Sequence, residues 1–175
     1  MTRRLLQRIT ELCVSISCMF MLAMMIHVTA DVVMKYLWNR PIPGTLEVVS
    51  AYYMVGGVFL PIAAVEFMRR QIVVDVAYQF MGWNLKAFCI FVGLVMAMLV
   101  YAVLAWTSWG DAMRSLAIRE VMMGTVLVSV WPSRFVLPIS FATAGLVCLW
   151  QIYAFITLPD YRAQLIDAQE PEEDI

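Results

Sequence analysis

Asp31 and Lys35 stand at the spacing where an acid placed N-terminal to a base meets it on one helix face, so the two can neutralise each other. Arg40 and Glu47 flank the turn Pro41-Ile42-Pro43-Gly44 and offer a second pair across it. Glu47 also falls in the first turn of the next helix, where the helix dipole favours a carboxylate. Glu66 precedes Arg69 and Arg70 and is placed to snorkel toward them. Asp75 either positions a loop or caps a short segment at 76–81. His27 is the only histidine, which excludes a haem held by two histidines of this chain. Cys13, Cys18, Cys89 and Cys148 lack CxxC spacing and read as small packing residues. Met19, Met21, Met24 and Met25 are soft enough in principle for Cu(I), but in a lipid-facing helix methionine is ordinary apolar filler. With no nucleophile–base pair, phosphate loop or metal-ligand cluster, the sequence predicts no enzyme, and no cofactor or metal bound by this chain.

The elements that carry these groups are long and apolar. Stretches at 12–38, 45–67, 84–108 and 132–157 each match or exceed the ~20 residues a helix needs to cross ~30 Å of hydrocarbon. A composition of 63% hydrophobic and 14% charged residues requires lipid as the solvent. Trp or Tyr marks most span ends, at Tyr36, Trp38, Trp83, Trp106, Trp109 and Trp131. The expected fold is therefore an all-α integral membrane protein of four transmembrane helices with short amphipathic interfacial helices. A single transmembrane domain occupies 1–160, and an acidic cytoplasmic tail 161–175. Arg3, Arg4, Arg8, Arg69, Arg70, Lys86 and Arg162 share one side, against Lys35, Arg40, Arg114, Arg119 and Arg134 on the other. That bias predicts both termini to be cytoplasmic. A cleavable signal peptide ending near Val28-Thr29-Ala30 is the competing reading, but cleavage there would cut a span in half, so retention is expected.

Residues 2–11 place Leu5, Leu6 and Ile9 on one face and Arg4 and Arg8 on another, which predicts an amphipathic helix on the membrane surface before the first span turns inward. Residues 109–122 read similarly, with Trp109, Ala112, Met113, Leu116 and Ala117 on one arc. Glu120 interrupts that arc, so the helix should end near it or pair it with a cation. Both segments serve either as interfacial anchors or as docking faces for another protein. No charge is expected at mid-span, where polarity is limited to small groups such as Ser50, Ser140 and Thr143. Gly56 and Gly57, with Ala51 before them and Pro61 after, predict close helix approach and a local kink.

Three sets of residues carry a family resemblance: Asp31, Lys35, Arg40, Pro41, Pro43, Gly44, Thr45 and Glu47; then Arg69, Arg70 and Asp75; then Trp131, Pro132, Ser133, Arg134 and Pro138. Together they resemble the small membrane subunit, or Q subunit, of tripartite ATP-independent periplasmic (TRAP) transporters. The family often has Arg where this chain has Lys35 and His where it has Gln71; the second change removes a titratable group. The resemblance implies a multi-pass subunit of the bacterial inner membrane that scaffolds a large permease subunit. It also implies that sodium and substrate sites lie in that large subunit, and that a periplasmic substrate-binding protein delivers an organic acid. Partners are then the large permease subunit, the binding protein and membrane lipid, with no nucleic acid. Asp31, Lys35, Arg40, Glu47, Gly56, Gly57 and Asp75 are the structural or partner-contact candidates. A self-pairing multidrug exporter and a membrane anchor of a respiratory complex are the alternatives.

Overall fold

The structure, a computed structural model, describes residues 2–68, 82–159, 161–162 and 165. Asp75, Arg69, Arg70, Gln71 and most of the acidic tail lie outside the described residues. Four helical segments are long and apolar enough to cross a membrane: Arg3–Trp38, Thr45–Met68, Trp83–Ile118 and Trp131–Thr157.

Helix α1 (Thr2–Trp38) runs for 37 residues without interruption. Neither Gly nor Pro occurs within it, so nothing in its sequence stops the hydrogen-bond ladder where the first span was expected to turn inward. The surface helix predicted at 2–11 is thus the first part of one rod. At ~1.5 Å per residue that rod is about 56 Å long, so it tilts or projects beyond a membrane of about 40–45 Å including headgroups. The third span behaves alike.

Span 2 is the broken one. It is built from α2 (Thr45–Val48), one π-helical turn (Val49–Tyr53), α3 (Met54–Phe59) and α4 (Ile62–Met68). The break before α4 falls at Leu60-Pro61, because Pro61 has no N–H to give to the preceding turn. Its carbonyl accepts from both Ala64 N–H (2.9 Å) and Val65 N–H (3.0 Å), which restarts the helix. Helix α5 (Trp83–Ile118) is again continuous, so the interfacial helix predicted at 109–122 is its extension. Gly93 and Gly110 lie within it, but a glycine costs only about 1 kcal/mol and does not end a helix of this length. Arg119, at φ 48°, ends it. Strands β1 (Val121–Met122) and β2 (Val128–Ser129) form an antiparallel hairpin, and α6 (Trp131–Arg134) leads into α7 (Val136–Thr157).

The spans pack in a single row. Helix α1 lies mainly against α3 and α4 and touches α7 only slightly, α3 and α4 lie against α7, and α7 lies against α5; α1 and α5 make no substantial contact. Accordingly the two middle spans are more buried than the flanking ones. Small residues allow the close approaches. A side chain at Gly56 would come within 2.6 Å of the Phe20 ring, and the Ser17 hydroxyl donates to the Gly57 carbonyl at 2.7 Å. The glycine pair therefore seats α3 on α1 of the same chain.

Polarity inside the row exceeds the expectation from the sequence. Gln151 is fully buried and its Nε2 donates to the Glu66 carbonyl at 2.8 Å. Glu66 is only 2% exposed, and the Tyr101 hydroxyl donates to its Oε2 at 3.3 Å. Ser50, Ser140 and Thr143 are thus not the only polar groups within the spans, and the Glu66 carboxylate meets α5 at Tyr101; Arg69 and Arg70, toward which it was expected to snorkel, lie outside the described residues.

Substituting Gly56→Ala is expected to destabilise the protein by about 1–3 kcal/mol, because the Phe20 ring it meets is part of a packed helix contact. Gly57→Ala should cost less, since the obstructing atom is the flexible Met21 Sδ at 2.7 Å. Thermal midpoints of the two variants in detergent check the order, and adding Phe20→Ala should recover much of the Gly56→Ala loss.

Candidate functional site

The side of the row away from the termini is organised by carboxylates that turn inward. Gly44 adopts φ +88°, a left-handed conformation open to glycine, and begins α2 at the end of the Pro41–Gly44 turn. Thr45 Oγ1 donates back to the Ile42 carbonyl at 3.1 Å, and Asp31 Oδ1 accepts the Ile42 N–H at 2.5 Å. The turn is thus fixed to the end of α1 by Asp31, and the expected Asp31–Lys35 pair does not form. A fixed backbone N–H placed at the carboxylate outcompetes a long lysine that must lose its rotamer freedom to pair.

Glu47 makes the corresponding tie to the hairpin. Buried at the start of span 2, its Oε1 accepts the Thr125 N–H at 2.5 Å. The approach requires glycine next door, because a Cβ on Gly124 would overlap the Glu47 carboxylate. Val126 packs against Gly44 from the same loop. The Arg40–Glu47 pair expected from the sequence is therefore replaced by a tie across 78 positions in the chain. The Tyr52 hydroxyl adds a second tie, donating to the Ser129 carbonyl at 2.5 Å. Its neighbour Tyr53 turns the other way, toward α1, with its hydroxyl 3.2 Å from His27 Nδ1. Both tyrosines lie in the π-helical turn.

The base of the hairpin is closed by Val130 N–H donating to the Glu120 carbonyl (2.9 Å) and by an Arg134–Glu120 ion pair at 3.0 Å. Helix α5 does end just before Glu120, and Glu120 does pair with a cation. The Ser115 hydroxyl and the Arg134 guanidinium hold the Glu120 carboxyl below the usual carboxylate range. Lys35, Arg40, Arg114 and Arg119 remain exposed, with no ion pair among the described residues. Above the latch the surface is apolar: Met123 is 87%, Leu46 81% and Leu127 69% exposed. The hairpin side thus sets exposed apolar side chains beside these cations. Among the described residues no group of three or more His, Cys, Asp or Glu side chains comes together to hold a metal.

The family model for tripartite ATP-independent periplasmic transporters, DctQ component, matches residues 24–158. The chain belongs to this family. The match takes in the Asp31 and Glu47 ties, the hairpin, the latter part of span 1 and all of the other three spans of this DctQ component. No curated protein matches it. The DctQ component is accordingly a multi-pass membrane protein and the small permease component of a TRAP transporter. The sequence singled out Asp31 and Glu47 but assigned their partners from local spacing. It did not single out Gly124, Thr125, Tyr52 or Gln151. A glycine between the β-branched runs at 121–130 was a usable hairpin signal, and a glutamine within an apolar span a usable signal of a buried partner.

Glu47→Ala and Gly124→Ala should each lower the thermal midpoint, and the double variant should be little worse than the worse single one, since both break the same tie. Additive losses would contradict a shared tie. For Glu120 the folded carboxyl lies below the ordinary value of 4.5, so its contribution is present above that pH and is lost as pH falls through its lowered value. The difference in thermal midpoint between wild type and Glu120→Gln should therefore hold constant at neutral pH and disappear in acid.

Proposed function

We propose that this DctQ component anchors and steadies a large permease subunit in the bacterial inner membrane, for sodium-driven uptake of an organic acid that a periplasmic binding protein delivers. Both termini are then cytoplasmic, and the hairpin side faces the periplasm. The observation that carries this reading is the single row of spans. A layer one helix thick has two broad faces and no interior wide enough for a solute path, so the path belongs to a partner. The long flanking helices α1 and α5 supply apolar area well beyond what the row itself covers. Sodium and substrate are then held by the large subunit, with no cofactor on this chain. Glu66 fits the division of labour, because Gln151 and Tyr101 tie it into the packing between spans.

Tagging the chain at its C-terminus, purifying it gently from its native membrane and identifying its companions by mass spectrometry tests the reading. A stoichiometric large polytopic permease is the expected result. Recovery of this chain alone as a homo-oligomer would overturn it in favour of a self-pairing exporter. Glu47→Ala is expected to weaken assembly or uptake, whereas unchanged assembly and transport would remove Glu47 from the contact region.

A further inference from the structure

On the terminal side, spans 1, 2 and 4 converge on a stack of rings that the scaffolding role leaves unexplained. Trp150, near the end of α7, lies 5.9 Å from the Phe67 ring of α4 and 5.6 Å, edge-on, from Tyr161. The Arg3 guanidinium of α1 sits over Trp150 at 5.9 Å from the ring centroid. Arg162, next to Tyr161, sits over Phe155 at 5.6 Å. Two guanidinium groups from opposite ends of the chain are thus brought onto one end of α7 and linked through the Trp150–Tyr161 contact.

Stacking holds a guanidinium by its face and leaves the donors in its plane uncommitted. Among the described residues no carboxylate pairs with Arg3, Arg4, Arg8 or Arg162. Arg162 Nε is buried without an acceptor. Glu11, the described carboxylate within the first turns of α1, accepts from Gln7 Nε2 at 2.8 Å. Just along α1 from these cations, Leu5 and Leu12 are exposed apolar residues, so the guanidinium groups mark a boundary between apolar and polar surroundings. The acceptor that matches planar N–H donors at such a boundary is a phosphate oxyanion.

We propose that Arg3 on Trp150 and Arg162 on Phe155 form a site for a phosphate oxyanion, supplied by the headgroup of an anionic phospholipid. The site is independent of what covers the hairpin side or the faces of the row. Its role is to fix the end of α1, which the row otherwise leaves largely uncovered, against the end of α7.

The test uses the full chain purified together with its transporter components. Its thermal midpoint is titrated with phosphatidylglycerol, phosphatidylcholine and inorganic phosphate in separate arms. Phosphatidylglycerol should stabilise the wild type and phosphatidylcholine should not. The Arg3→Gln/Arg162→Gln double variant, which removes both guanidinium groups, should need at least about tenfold more phosphatidylglycerol for half the effect. Arg4→Gln/Arg8→Gln, whose side chains are not stacked on rings, should titrate like the wild type. Protection by inorganic phosphate alone, lost in the same double variant, would support the oxyanion site and assign it to free phosphate. Equal stabilisation by the two lipids, or an unchanged titration in the double variant, would overturn it. If that variant does not fold, Arg3→Lys/Arg162→Lys keeps the charge but loses the planar donors; it should also titrate weakly, and wild-type behaviour would overturn the proposal.

Discussion

A carboxylate buried at the start of span 2 governs the hairpin side of this protein. Glu47 has a charge to satisfy at the membrane edge, and the group that satisfies it is the Thr125 N–H of the connection between spans 3 and 4. Several local features follow from that one bond. Gly124 must lack a side chain for the loop to come close, and Gly44 must turn left-handed to start α2 beneath it. The hairpin is only two residues per strand, too short to persist in water unaided, so its order depends on the ties from Glu47, Tyr52 and Arg134.

Span 2 is irregular, whereas spans 1 and 3 are each one continuous helix. Span 2 has to meet α1 on one side, α7 on the other and the hairpin above. Within its π-helical turn Tyr52 reaches the hairpin and Tyr53 reaches His27. The break at Pro61 then frees α4 to settle against α7, where Gln151 takes the Glu66 carbonyl. Span 2 is the keystone of the row, and the flanking helices are left to face lipid or a partner. That division suits the small component of a transporter, whose work is to present surfaces.

Much of this was legible in the sequence, for identifiable physical reasons. Span number and approximate limits follow from apolar length and from tryptophans at the ends, because the bilayer imposes both. Gly56 and Gly57 announced a close helix contact for the same kind of reason: there is little else two adjacent glycines do inside a span. The partners of charged groups were not legible. Spacing along the chain offers Lys35 to Asp31 and Arg40 to Glu47, yet the fold gives Asp31 and Glu47 backbone N–H groups. Local spacing ranks the candidates that are always near. It is blind to a loop that arrives from 78 residues away already carrying an aligned donor. The ends of α1 and α5 were misread for a simpler reason, since an amphipathic pattern describes a surface helix and the extension of a rod equally well.

Hydrogen exchange across residues 120–130 of the wild-type protein, followed by mass spectrometry in detergent or nanodiscs, addresses the central claim most directly. If Glu47 holds the Thr125 N–H and thereby orders the hairpin, amides of this segment should exchange orders of magnitude more slowly than those of an unstructured peptide. Exchange at the unstructured rate, with the spans themselves protected, would mean that the hairpin is not held and that Glu47 does not organise this side of the molecule.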